Sequence, residues 1–181
     1  MVLDFWFGAL DSPERGRPRK AWFRKSEIFD AEIRRRFLAT WEFAARGELE
    51  RWQATPLASL ALIIALDQFP RNMFRGTARA FSSDFLALSV ARSVTERGFD
   101  RLLSPAERGF AYLPFEHAED LAAQRRSLAL CQALDPEHIG YARRHYEIIA
   151  RFGRFPHRNA ILGRESTAEE TEFLSQPGSS F

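Results

Sequence analysis

The chain has 181 residues, which is long enough to bury a hydrophobic core without disulfides or a structural metal ion. Hydrophobic residues make up 45% of it and charged residues 28%, as in ordinary globular proteins, and the net charge is only +2. The single cysteine, Cys131, excludes a disulfide framework and a cysteine-rich zinc or iron–sulfur site.

The first part of the chain predicts two helices separated by a basic loop. Residues 2–10 read as a short aromatic helix, and residues 11–19 as a loop rich in Pro, Gly and Arg. A second helix is expected to begin at Asp30 and to end at Gly47. Its apolar positions recur every three or four residues, at Ile33, Phe37, Trp41 and Ala44.

Neither the N-terminus nor the longest apolar run has the properties of a membrane segment. The first residues lack a basic region and contain Asp4, so they make a poor signal peptide. The apolar run, residues 57–66, is about half the length of a membrane span and ends at Asp67. We therefore expect a buried helix, no membrane association and a cytoplasmic protein.

The helix that contains this run has a clear start and a predicted end. Thr55 is a suitable N-cap residue, and Pro56 fits the first helical turn. Pro70 disfavours a continuing helix, so we expect the helix to end at about Gln68.

Capping residues divide the second half of the chain into further helices. Asp84 is predicted to cap a helix that ends at Gly98, and Ser104 with Glu107 forms a capping box. The remaining predicted elements are a long helix over residues 116–134, a helix from Asp135-Pro136 to Gly153, a helix from the capping box of Thr167 and Glu170 to Leu174, and a frayed tail, residues 177–181.

The pattern as a whole predicts an all-α fold. No segment sustains the apolar–polar alternation of a β-strand, so essentially no sheet is expected. Short links between successive helices indicate antiparallel helical hairpins, arranged as an array or as an irregular bundle. We expect a single domain over residues 1–181.

One motif occurs twice. Phe69-Pro70-Arg71-Asn72 is echoed by Phe155-Pro156-His157-Arg158-Asn159, and in both places apolar residues follow and a glycine lies beside an arginine. A proline after a helix end explains the Phe-Pro pair, because it cannot continue the helix. The repeated Arg-Asn has no such explanation, so we expect these corners to carry the functional surface.

The same segments resemble the signatures of the bacterial "domain of unknown function 924" family. Residues 62–72 and 151–164 look like its two main signatures, residues 4–8 are similar to its opening, and residues 113–117 are similar to its middle motif. The resemblance spans nearly the whole chain in the right order. It implies a tetratricopeptide-like helical fold, and it brings no settled activity with it.

The middle motif departs from the family pattern at one position. Where the family usually has His-Ser-Glu, this chain has His117-Ala118-Glu119. Any role that depends on the serine hydroxyl is therefore lost here.

The residue types around the two corners suit an anionic ligand. Arginine presents a fork of donors that matches carboxylate or phosphate, asparagine can bind an amide or hydroxyl, and an aspartate can orient an arginine. A buried network that only holds helix ends together uses the same residues. The candidate ligand-binding residues are Asp67, Gln68, Arg71, Asn72, Arg151, Arg154, Arg158, Asn159 and Arg164.

Histidine is the candidate for acid–base chemistry, because it titrates near neutral pH. His157 is the first candidate, since the preceding proline fixes its direction, and His117 between Glu116 and Glu119 is the second. The spacing of the histidines matches no recognised metal-ligand pattern, so we expect no metal and no cofactor.

Three functional hypotheses remain open at this point. The first is a module that binds a small anionic molecule or a peptide carboxylate, the second is an enzyme that uses His157 or His117, and the third is an interaction protein whose motifs only stabilise the fold. Nucleic acid is not an expected partner, because acidic residues are interspersed with Arg34, Arg35 and Arg36. The sequence sets no oligomeric state.

Overall fold

The computed structural model describes residues 1–9, 11–13, 15–22, 24–134 and 136–180, and only the backbone of residues 136 and 137. This described part is helical and contains no strand, which confirms the predicted all-α class. Its helices are α1 (Val2–Phe7), α2 (Glu27–Ala45), α3 (Pro56–Ile63), α4 (Phe69–Met73), α5 (Asp84–Glu96), α6 (Pro105–His117), α7 (Leu121–Cys131), α8 (Pro136–Phe152) and α9 (Ala168–Leu174).

Side-chain caps fix several helix starts. Thr55 accepts the Ala58 N–H at the start of α3, and Ser104 and Thr167 form capping boxes at α6 and α9, as expected. Helix α2 begins at Glu27, before the predicted start at Asp30, because the Ser26 hydroxyl accepts the Phe29 N–H.

Pro70 does not end its helix, contrary to expectation. The helical path widens into a π-turn at Ile64–Gln68, where the Phe69 N–H donates to the Ile64 carbonyl, and then continues as α4. In an α-helix a residue at position 70 with a free N–H would have bonded the Leu66 carbonyl. The Ser83 hydroxyl donates to that carbonyl instead, over 2.6 Å. Asp67 and Gln68 therefore lie in the widened turn.

The predicted helix over residues 116–134 is interrupted. Helix α6 ends at His117, Ala118 is extended, and the Asp120 carboxylate caps α7 by accepting the Ala123 N–H. The Gln124 amide donates to the Glu116 and Ala118 carbonyls, which satisfies the end of α6. The break leaves His117 on a helix terminus.

Aromatic side chains dominate the main core. The ring of Phe69 stacks on that of Phe37 with centroids 4.6 Å apart, and Trp6 and Phe7 are fully buried. The apolar run of α3 is buried from Leu60 onward, as expected. No helix in the described ranges is long and apolar enough to cross a membrane.

The C-terminal region packs around a smaller core of Ile148, Ile149 and Phe155. Helix α8 is followed by Gly153, whose φ of 71° requires the left-handed conformation, and the chain turns into a short 3₁₀ segment, Pro156–Arg158. In the tail, Ser179 is buried and donates to the Leu174 carbonyl. The predicted boundaries at Leu10, Asp135 and Phe181 lie outside the described residues, and the tetratricopeptide-like arrangement stays a prediction.

Candidate functional site

Asp67 is the buried centre of the site. Its side chain is 0% exposed, and its Oδ2 accepts the Gln68 amide at 2.6 Å. Its Oδ1 lies 2.7 Å from His117 Nδ1 and 3.3 Å from Arg71 Nη1. Burial raises the pKa of this carboxyl, but Arg71 and His117 more than offset the effect and hold the pKa well below its usual range. Asp67 is therefore an ionised carboxylate.

Arg71 connects Asp67 to helix α5. Its guanidinium forms a two-pronged contact with Asp84, with Nη1–Oδ1 and Nη2–Oδ2 distances of 2.7 and 2.9 Å. Nη1 also donates to the Asp67 carbonyl at 2.7 Å. Asp84 was predicted to cap α5, but it is the first residue of that helix, and its carboxylate binds Arg71. The N-cap is Ser83, which makes no side-chain cap hydrogen bond.

Arg158 brings the second motif to the same place. Its Nη1 donates to the His117 carbonyl at 3.1 Å and lies 3.5 Å from Asp84 Oδ2. The guanidinium also lies 4.6 Å from the ring of Phe81, which Arg71 approaches to 5.6 Å. Arg71 of the first motif and Arg158 of the second therefore lie against the same two side chains, Asp84 and Phe81. Burial, and next the charge of Arg71, lower the pKa of Arg158 to about 10.

His117 links both halves of this cluster and reaches its surface. A carboxylate can only accept, so Nδ1 donates to Asp67 and the other ring nitrogen, Nε2, is the unprotonated one. Among the described residues nothing hydrogen-bonds Nε2, and 15% of the side chain is exposed. Burial and Arg71 lower the pKa of His117 against the opposing effect of Asp67, so the ring is neutral near pH 7.

The other predicted ligand-binding residues lie in separate contacts. Asn72 donates to Asp30 of α2, which also binds Arg75. Three more acids contact the other predicted residues: Arg154 and Asn159 contact Glu170, Arg164 contacts Glu119, and Arg151 contacts Glu169. All five arginines of the predicted set contact a carboxylate, and only Arg71 and Arg158 converge.

The rings of His157 and His145 have different surroundings from that of His117. The His157 ring is tilted against that of Phe155, with centroids 5.6 Å apart, and burial, with the charge of Arg158, lowers the pKa of His157 to about 4. His145 donates from Nδ1 to the Tyr141 carbonyl, and its ring lies 6.3 Å from that of His117. The described residues include no group of three potential ligands that could hold a metal ion.

Four residues of the site were not among the sequence-based candidates. Asp84 was read only as a helix cap, and Phe81, Glu116 and His145 had no assigned role. Phe81 and Asp84 lie beside the arginines because the chain after α4 turns back through a 3₁₀ segment, Ala78–Phe81, into α5. The only sequence signal was the position of Glu116 beside His117.

The fold and the site define a class of protein: a helical chain in which a buried aspartate–histidine pair lies between two arginines. The chain matches the model of a family described as "Bacterial protein of unknown function (DUF924)" over residues 2–178, and it belongs to that family. It is similar to the solved structure of the protein of unknown function ATU0120 from Agrobacterium tumefaciens, with 45% sequence identity and a TM-score of 0.86. That similarity covers 96% of this chain and 94% of the other. No curated protein matches the chain.

Proposed function

We propose that this protein is an enzyme in which His117 acts as general base and then as general acid. The observation that carries the proposal is the 2.7 Å contact between His117 Nδ1 and the buried Asp67 carboxylate. Such a contact fixes the tautomer and the direction of the ring, and it stabilises the imidazolium that forms when the ring accepts a proton.

In the proposed reaction, Nε2 of His117 removes a proton from an O–H, N–H or C–H group of the substrate, and the bonding electron pair stays on the substrate atom. The same proton returns to the product from Nε2 in a later step. The depressed pKa of His117 supports this role, because the ring is unprotonated near neutral pH and able to accept.

Arg71 and Arg158 are proposed to stabilise the negative charge that develops on the substrate. Their charges are balanced in the resting site by Asp67 and Asp84, so the four groups together carry no net charge. A substrate that becomes more negative during the reaction gains more from these guanidinium groups than it does before the reaction begins.

The decisive variant is His117→Asn. Its side-chain amide keeps an N–H donor near the position of Nδ1 and removes Nε2. We expect it to fold like the wild type and to lose about 100-fold or more in rate, the usual contribution of general acid–base catalysis. The measurement is the consumption of metabolites in a small-molecule extract of bacterial cells, followed by mass spectrometry, with the wild type and the variant side by side.

Identical metabolite changes with the wild type and with His117→Asn would refute the proposal. His157→Asn is the matched comparison, since it tests the other predicted histidine in the same assay. A loss of turnover in His157→Asn with full turnover in His117→Asn would assign the base to His157.

The alternative function, binding of a small anion or a peptide carboxylate, is supported by one observation. Arg71 and Arg158 share the Asp84 carboxylate, and both lie against the ring of Phe81. An external carboxylate or phosphate could compete with Asp84 for these donors. This alternative predicts that inorganic phosphate or acetate raises the melting temperature of the wild type and not that of Arg158→Gln. A purely structural role of the motifs predicts no shift with either anion.

A further inference from the structure

Glu116 is a buried carboxyl group immediately before His117 in the chain. It is 2% exposed. The thiol of Cys131, from α7, donates to its Oε1 at 3.4 Å, and Nδ1 of His145, from α8, lies 3.7 Å from its Oε2. Because this His145 nitrogen donates to the Tyr141 carbonyl, the Cys131 thiol is the closest hydrogen-bond donor to Glu116 among the described residues.

The other two buried glutamates of the described chain form ion pairs with arginines. Glu107 has Arg15 at 2.8 Å, and Glu170 has Arg154 at 2.7 Å. The buried Asp67 likewise contacts Arg71. Within the described residues no arginine or lysine forms an ion pair with Glu116, although the chain is rich in arginine.

A carboxylate buried without a cation loses its hydration and gains no ion pair in return, which favours the neutral acid. The groups that face Glu116 reinforce this. Asp67 acts on it from the π-turn with a negative charge, and His145 is neutral because burial lowers its pKa to about 3. Burial, with Asp67 adding to it and the Cys131 hydrogen bond opposing it, raises the pKa of Glu116 to about 7.

We propose that Glu116 is a positioning residue of the Asp67–His117 pair: it holds a proton in slightly acidic solution, and its neutral state keeps a second negative charge away from His117. This inference rests on the proposed acid–base function. If Glu116 ionised, the added negative charge would raise the pKa of His117 and favour protonation of Nε2, the nitrogen that has to accept the substrate proton.

The proposal predicts two linked titrations. The δ-carbon signal of Glu116, in protein labelled with ¹³C-glutamate, should titrate with a midpoint near pH 7. The ring signals of His117 should show a main inflection below pH 6.5 from the ring itself and a second, smaller inflection at the Glu116 midpoint. In Glu116→Gln, an isosteric neutral side chain, the second inflection should vanish and the first should stay.

The control is Glu119→Gln, which removes an acid two residues from His117 that is ion-paired with Arg164. It should leave the second inflection in place. A Glu116 titration midpoint near pH 4.5 would overturn the proposal, and so would His117 ring signals that do not change when Glu116 ionises. Because neither measurement needs a substrate, failure here is separate from failure of the proposed catalysis.

Discussion

At the scale of single residues, buried acids differ in whether an arginine accompanies them. Asp67, Glu107 and Glu170 each contact a guanidinium, whereas Glu116 contacts a thiol and a neutral imidazole. An ion pair favours the charged form of a buried carboxylate, and burial without an ion pair favours the neutral acid. The two kinds of acid therefore give the stability of the protein different responses to pH.

Glu116 should make the protein less stable as pH rises from about 4.5 to about 7. Its pKa is about 7 in the folded chain and 4.5 as a model value, so over this range the folded state holds a proton that the unfolded state has lost. Relative to Glu116→Gln, the wild type should lose about 3 kcal/mol of unfolding free energy, from the 1.36 kcal/mol that each pKa unit represents.

Urea unfolding at a series of pH values measures this difference directly. Below pH 4 the two proteins should be similarly stable, since Glu116 is neutral in both the folded and the unfolded chain. A constant difference between wild type and Glu116→Gln from pH 4 to pH 8 would show that the carboxyl titrates at its usual pKa in the folded protein.

At the scale of elements, the site depends on a helix that continues past a proline. Asp67 and Gln68 lie in the π-turn, and Arg71 lies in α4, which continues from it. The Ser83 hydroxyl replaces the N–H that Pro70 lacks. Ser83 also accepts the indole N–H of Trp41 at 3.0 Å, so one buried hydroxyl satisfies two groups. The start of α5, and Asp84 with it, is thereby attached to the turn.

Ser83→Ala should cost about 1–3 kcal/mol, because the Leu66 carbonyl and the Trp41 indole lose their partner in the interior. In a Pro70→Ala background the cost should be smaller, since the alanine supplies a backbone N–H that can reach the Leu66 carbonyl. A double-mutant cycle from thermal or urea unfolding should give a coupling of at least about 0.5 kcal/mol. Strict additivity of the two substitutions would contradict the assigned role of Ser83.

At the scale of the whole molecule, contacts between distant parts of the chain position the second motif. Glu119 accepts the Phe155 N–H at 2.8 Å and binds Arg164 with two hydrogen bonds, and these partners lie 36 and 45 residues away. Glu119, in the break between α6 and α7, therefore fixes the position of the segment that contains Arg158. The same break exposes His117, so one irregular segment serves both motifs.

Glu119→Gln should loosen this corner locally. The amide can replace one acceptor but cannot attract Arg164 as a charge does, so amide hydrogen exchange of residues 153–164 should become about tenfold faster while α2 is unchanged. The matched control is Glu169→Gln, since the exposed Arg151–Glu169 pair contributes little. Equal protection in Glu119→Gln and wild type would mean that other contacts hold the corner.

Local signals in the sequence determined the all-helical class, the caps at Thr55, Ser104 and Thr167, and the two segments that carry Arg71 and Arg158. These features depend on residues a few positions apart, whose preferences act in any context. Pro70 and the break after His117 were misjudged for the same reason: the groups that satisfy the backbone there are Ser83 and Gln124, which belong to other elements.

Only the tertiary structure decided which charged groups meet. Of the predicted arginines, Arg71 and Arg158 converge on Asp84, while Arg151, Arg154 and Arg164 each turn to another acid. Asp67 and His117 are 50 residues apart in the chain and become a hydrogen-bonded pair only when the π-turn packs against the end of α6. Burial, which sets the protonation of His117 and Glu116, is a property of that packing and has no local signature in the sequence.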